Sequence, residues 1–301
     1  MRVGVLVLAA AAAARQPRKP LEPPSDASSA DLCPPCFELA RMPAHGNRSM
    51  QALRWLHLPK SGSTFQNSVF HWACPKMPER AGYGPRATPF KLKSLYTKDR
   101  RLNRTLCDRD VDMTIPGHPP AEERALPRTV AMFRQPRQRV ISAYRNGKHC
   151  DGFQEIDKDP NWKHLTVAEY ARHAGIPGCT TRMLLGGKCA RARHVTRDFD
   201  AAKAVANVRR LAFVGILERW RESICLFHKM HGGRPSAVEF GITHSTRGDL
   251  AKKAGLHEAP KPYDESVLEG VEDPDEDAVY AAALDVFDRQ LRRHAPNCPR
   301  R

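Results

Sequence analysis

Aromatic residues make up only 7% of this 301-residue chain. They do not interleave with its basic stretches as the stacking platforms of a single-strand nucleic-acid binder do. Acidic residues are also scarce: Asp+Glu number 33 against Lys+Arg 49, a formal net charge of +16. No apolar run reaches the roughly 20 residues that a membrane-spanning helix needs; the longest covers only residues 3–14. The Walker A pattern GxxxxGK[ST] is absent, as is a clear Walker B Asp, which argues against a nucleotide kinase. There is no internal repeat and no second CxxC beside Cys33-Pro-Pro-Cys36. That single motif lacks an adjoining strand–helix pattern, so it reads as structural or unpaired rather than as a redox or zinc site. No His/Cys cluster has metal-ligand spacing, so no metal is expected. What remains is a chain 41% hydrophobic and 27% charged, close to ordinary globular usage. The excess of base predicts an anionic partner, which charge alone does not identify.

Arg2 and the apolar residues 3–14 fit a secretory signal peptide with small residues at its end, or a short uncleaved signal-anchor, or an Ala-rich tail. Residues 15–50 are rich in Pro, Ser, Ala and Arg without periodicity and read as a stem or linker. The nine cysteines leave at least one thiol unpaired within the chain. In a secretory lumen several of the others would pair. Cys179 and Cys189, closing the Gly-rich segment CTTRMLLGGKC, are the first candidates for a disulfide, the alternative being two small buried side chains. The sequons Asn47-Arg-Ser49 and Asn103-Arg-Thr105 are compatible with a glycosylated luminal protein.

The globular part begins near Gln51. Short apolar runs bounded by turn residues predict strands at Ala52–Leu58, Val111–Ile115, Thr129–Phe133 and Leu211–Val214. Helical spacing predicts helices at Thr64–Ala73, Gln138–Asn146, Val167–Ala174, Ala201–Arg209, Glu218–Met230 and about Asp277–His294. The last opens on Asp273-Pro274 and acidic residues and closes on Arg292 and Arg293, as capping and dipole rules expect. Strands alternating with helices imply an α/β fold with a mostly parallel sheet.

Two strand–turn–helix junctions carry chemistry. In His57-Leu-Pro-Lys-Ser-Gly-Ser-Thr-Phe65 a buried strand passes to a helix through Lys60, Ser61, Gly62, Ser63 and Thr64. Gly62 allows amides to turn toward a ligand, the helix N-terminus offers N–H groups, and Lys60 adds a full charge, making an anion cradle. The alternative is an ordinary loop with a capping hydroxyl. In Phe133-Arg-Gln-Pro-Arg-Gln-Arg-Val-Ile-Ser-Ala-Tyr144, Arg134 sits at a strand end, Arg137 and Arg139 crowd the turn, and Ser142 lies one turn into the predicted helix. Arginine suits bidentate phosphate contact; the alternative is a solvated basic face.

HLPKSGSTF resembles the 5′-phosphosulfate loop of sulfotransferases that use 3′-phosphoadenosine 5′-phosphosulfate (PAPS). FRQPRQRVISAY resembles their 3′-phosphate motif, R-D-P-x-x-R-x-x-S-x-Y, with the same Arg-to-Ser spacing. CTTRMLLGG (Cys179–Gly187) and FVGILERWRESICLF (Phe213–Phe227) look like two further segments of Golgi-type carbohydrate sulfotransferases. The resemblance covers about Leu53 to His294, and the four segments stand in the family's order. It implies a three-layer, P-loop-NTPase-like sulfotransferase fold over 51–299. It also implies PAPS as co-substrate, bound by Lys60, Ser61, Gly62, Ser63, Thr64 and Phe65 at the 5′ side and by Arg134 and Ser142 at the 3′-phosphate. Gln135 departs from the family's Asp, which alters a turn contact.

A base is needed for the acceptor hydroxyl, and His118, His57, Glu79 and His149 are candidates. His118, in Thr114-Ile-Pro-Gly-His118, resembles the strand-end Gly-His of some uronyl and heparan 2-O-sulfotransferases, although Pro119-Pro120 departs from the aromatic often found there. An imidazole suits general-base work in a mildly acidic lumen; the alternative is a surface His beside a Pro turn. The expectation is in-line sulfuryl transfer to a glycan or proteoglycan hydroxyl in the Golgi lumen, with Lys60 and His118 catalytic, no nucleic-acid partner, and membrane association through the N-terminal segment. The competing expectation is a non-catalytic, lectin-like polyanion-binding protein on the same fold. The acceptor loops, Pro75–Asn103 and His231–Tyr263, carry no legible code.

Overall fold

A computed structural model describes residues 52–77, 107, 111–112, 118–146, 164–173, 175–189, 200–240 and 262–298. The leader, the stem, both sequons, Cys33, Cys36, Cys150, Glu79 and His149 lie outside these residues. The protein is α/β, built on a four-stranded, all-parallel sheet in the order β2-β1-β3-β4. The strands are β1 Leu53–Leu56, β2 Val111–Asp112, β3 Thr129–Phe133 and β4 Phe213–Ile216. Each of β1, β3 and β4 is buried along its whole length, as expected of parallel strands covered on both faces. That burial explains why they read as largely apolar runs rather than alternating ones; Arg54, the charge inside β1, is paired with Glu122 and Asp112.

The helices are α1 Phe65–Ala73, α2 Pro136–Asn146, α3 Val167–Arg172, α4 Cys179–Leu184, α5 Ala201–Arg209, α6 Trp220–His231 and α7 Pro274–His294. The sequence-based boundaries agree closely for β1, β3, α1, α2, α5 and α7. The fourth strand starts two residues later than expected. The turn after α5 takes up the difference, because the Leu211 amide bonds back to the Val208 carbonyl. The expected helix from Glu218 begins instead as a 3₁₀ turn, Leu217–Arg219, that runs into α6. Helix α4 was not foreseen. It is six residues long, opens on Gly178 at φ 65° and is followed by Gly186 at φ 87°.

Phe65 sits at the centre of the core. Its ring stacks on Phe213 at 5.3 Å and meets Phe227 edge-on at 5.2 Å and Trp55 at 5.5 Å. Burying such a ring contributes about 2–3 kcal/mol, and it welds the start of α1 to β1, β4 and α6. Long α7 packs on β4, α5 and α4. Asp273 caps α7, accepting from the Glu276 amide, and also accepts from the Gly178 amide at 2.8 Å, tying α7 to the head of α4.

Among the described residues three disulfides tie separate segments together, most of their cysteines buried: Cys74–Cys107, Cys179–Cys189 and Cys225–Cys298. The second is the pair expected from the sequence. Disulfides persist in oxidising compartments, so the three fit an extracellular or secretory-pathway protein. Among the described residues no helix is long and apolar enough to cross a membrane, and no group of three or more His, Cys, Asp or Glu is placed to hold a metal ion.

Candidate active site

The chain leaves β1 toward β2 on one side of the sheet and leaves β3 toward β4 on the other. The crevice at the carboxyl ends of β1 and β3 is therefore the topological switch point, where open α/β sheets bind ligands. Both sequence junctions open there. The pairing Leu56↔Ala131 sets the end of β1 beside the middle of β3, which runs on to Phe133, and the Arg134 guanidinium reaches across to donate from Nη1 to the Lys60 carbonyl at 3.2 Å.

The first junction is a strained backbone loop. Lys60 has φ 60° and Gly62 has φ 93°. A left-handed conformation costs a non-glycine residue about 1–2 kcal/mol, and such strain persists where the surrounding structure over-determines it. At Gly62 a Cβ would come within 3.1 Å of Leu217 Cδ1, so the conformation demands glycine and the space is tight for anything larger. The amides of Phe65, Gln66 and Asn67 donate to the carbonyls of Gly62, Ser63 and Thr64. Among the described residues, no backbone carbonyl accepts from the amides of Gly62, Ser63 or Thr64. These three consecutive N–H groups at the mouth of α1 are the donors that an anion nest would use. Lys60 flanks it, partly buried, its ammonium pushed down to about 8 by burial and then by the nearby Arg134 charge.

The side chains of this loop divide. Ser61 lines the crevice, with its Oγ donating to the Pro59 carbonyl at 3.4 Å. Thr64 is buried at the head of α1. Phe65, expected among the ligand contacts, makes none available: its ring is fully buried in the core and its amide is bonded to Gly62. It anchors the loop rather than touching an anion.

At the second junction the arginines also divide. Arg134, with a side chain only 10% exposed, faces the Glu218 carboxylate at 3.8 Å. Arg137 donates to the carbonyls of Glu265, Leu268 and Val271. Arg139 is wholly buried on Glu276 at 3.0 Å. The expectation that Arg137 and Arg139 face an anionic ligand is thus corrected, because both hold the fold. Gln135 accepts from the Gln138 amide at 2.7 Å, so it fills the capping role of the expected Asp without its charge. Ser142 is buried in the second turn of α2, two residues deeper than expected because the helix begins at Pro136, and it lies outside the crevice lining.

The narrow crevice is lined by Ser61, Phe133, Arg134, Thr180, Glu276 and Tyr280, among others. Thr180 belongs to the CTTRMLLGG segment. Glu218, from FVGILERW, accepts from the Gln135 amide and from the Tyr280 hydroxyl, each at 3.2 Å. All four sequence segments therefore meet at one edge of the sheet. Sequence reasoning missed Glu218, Glu276 and Tyr280 as site residues. Burial pushes the Glu218 carboxyl up despite its hydrogen bonds and Arg134, and burial followed by Glu218 pushes the Tyr280 phenol up.

His118 lands beside the cradle. Its Nδ1–H donates to the His57 carbonyl at 2.9 Å, and the two imidazoles lie against each other at a tilt of 38°, centroids 4.2 Å apart. A donor at Nδ1 fixes the neutral tautomer with Nε2 as the basic nitrogen. His57 serves as its support through both backbone and ring. No family model, curated protein or solved structure matches the chain.

Proposed function

We propose that this protein is a sulfotransferase that moves a sulfuryl group from PAPS to a carbohydrate hydroxyl. One observation carries the reading: a nest of three N–H groups, a lysine and a buried arginine converge at the switch point of a parallel sheet, with a tautomer-fixed histidine beside them. Binding of the donor's 5′-phosphosulfate falls to the amides of Gly62, Ser63 and Thr64, and binding of its 3′-phosphate to Arg134. The three-layer sulfotransferase fold and a Golgi location belong to the same proposal, supported by the parallel sheet and the disulfides.

The reaction forms a bond from the acceptor oxygen to sulfur and breaks the bond from sulfur to the bridging phosphate oxygen, leaving 3′,5′-ADP. His118 Nε2 takes the acceptor proton. Negative charge grows on the bridging oxygen, where the Lys60 ammonium and the helix-mouth amides are preorganised to meet it. With its pKa near 8, Lys60 is mostly charged in a neutral or mildly acidic lumen. The approach of an anion favours that form further.

The test is transfer of labelled sulfate from PAPS across glycan, tyrosyl-peptide and small-alcohol acceptors. Lys60→Ala and Arg134→Ala each reduce transfer by about a thousandfold or more, with an unchanged circular dichroism spectrum. Full activity in both variants overturns the proposal. Heparin retention without turnover, and without heat of binding for 3′,5′-ADP, replaces it with the polyanion-binding reading.

A further inference from the structure

Four arginines mark the second junction, and three have assigned partners: Arg134 at the Lys60 carbonyl, Arg137 on the carbonyls of the 265–271 segment, and Arg139 on Glu276. The fourth, Arg145, is exposed on α2 one turn beyond Ser142. Its guanidinium lies 4.7 Å from the centre of the Tyr263 ring. Arg134 lies 5.3 Å from the centre of the same ring. Two guanidiniums thus gather on one phenol ring, no farther apart than those two distances laid end to end.

Tyr263 is held there firmly. Its amide donates to Gln138 Oε1 at 2.8 Å, and Gln138 Nε2 donates back to its carbonyl at 2.9 Å and to Glu265 Oε1 at 2.6 Å. Arg137 pins the following residues to the same helix. Two cations on one ring gain from its π face but repel each other. Two carboxylates moderate that repulsion: Glu218 near Arg134, and exposed Asp264, whose carboxyl is held low by Ser266 first and by Arg145 last. Arg134 Nε is buried and makes no hydrogen bond among the described residues; Glu218 Oε1 stands 3.8 Å away, so a closer acceptor can still be added. A phosphate monoester dianion supplies both acceptors and charge for two planar guanidiniums.

Resting on the PAPS reading, we infer that Arg145 is the second guanidinium of the 3′-phosphate site, and that Tyr263 is the tray that holds it beside Arg134. Arg145 then selects donors that carry a 3′-phosphate over those that lack it, while Lys60 and the nest act on the 5′ side.

Calorimetry with 3′,5′-ADP, and with 5′-AMP by competition, tests this on the full chain. Arg145 is exposed, so its replacement leaves folding intact. Wild type prefers 3′,5′-ADP. Arg145→Ala weakens 3′,5′-ADP by about tenfold or more and leaves 5′-AMP unchanged, Arg145→Lys restores part of the preference, and Lys60→Ala weakens both ligands. Tyr263→Ala mimics Arg145→Ala, and Tyr263→Phe does not. An Arg145→Ala variant that binds 3′,5′-ADP as wild type does, or that loses both ligands equally, overturns the inference and leaves the sulfotransferase reading standing. A wild-type protein that binds neither nucleotide overturns both.

Discussion

The two strand-to-helix junctions share one sheet edge and are built on opposite plans. The first, residues 57–65, has a single cation and works through its backbone: two positive φ angles and three amides without a backbone acceptor among the described residues. The second, residues 134–145, is dense in arginine, yet three of its four guanidiniums already have carbonyl or carboxylate partners within the protein, and Arg137 and Arg139 serve the fold alone. Charge density therefore does not locate an anion site. The location follows from which donors already have protein acceptors.

The largest effect that sharpens this contrast separates neighbouring arginines. Arg139→Ala leaves Glu276 buried without its cation. Breaking such a pair costs about 3–5 kcal/mol, a fall in Tm on the order of 10 °C for a domain of this size. Calorimetric melting should show that loss, and Arg139→Met combined with Glu276→Met should recover much of it. Arg134→Ala should melt close to wild type and lose 3′,5′-ADP binding. Equal Tm losses for the two arginines would erase the distinction. A smaller effect separates the loops themselves. Gly62→Ala forces a left-handed alanine against Leu217, costing about 1–2 kcal/mol and disordering the nest, so 3′,5′-ADP affinity should drop tenfold or more. Gln135→Ala at the other junction removes only one capping acceptor, about 1 kcal/mol, and should leave affinity nearly intact.

The sequence makes the local features legible and hides the non-local ones. Strands β1 and β3 stand out because burial on both faces leaves mostly apolar residues between polar turns, Arg54 and Thr129 being the exceptions. Gly62 is legible because a strand that hands over to a helix within a few residues needs a tight turn. The disulfide between Cys179 and Cys189 is legible because the two are only 10 residues apart. The fate of Arg139 is not, since Glu276 lies on α7, far along the chain. His118 follows a predicted strand, but its tautomer depends on a carbonyl 61 residues earlier. Phe65 belongs to a loop motif by position and to the core by its ring, and only packing decides between them. Tyr263 carries no motif; its place depends on Gln138, 125 residues away.

The smallest expected effect concerns Lys60 and gives the backbone junction its own signature. Its folded pKa, about 8, lies below the ordinary 10.5 because burial and then Arg134 oppose its charge. Between those values the unfolded chain binds more protons than the folded one, so wild-type stability should rise with pH across that window. Below about 8 both states are protonated, and the buried charge remains a constant penalty. Lys60→Met removes the titration and the penalty while keeping much of the side chain's volume. The variant should therefore melt a few degrees above wild type at pH 7, and the gap should close as pH climbs toward 10. Arg145→Met at the other junction should show no such convergence, because the burial that causes the Lys60 effect is absent at this exposed side chain. A Lys60→Met variant that melts below wild type at pH 7 would mean that the ammonium stabilises the empty loop. The crevice would then be a structural contact rather than a site held ready for an anion.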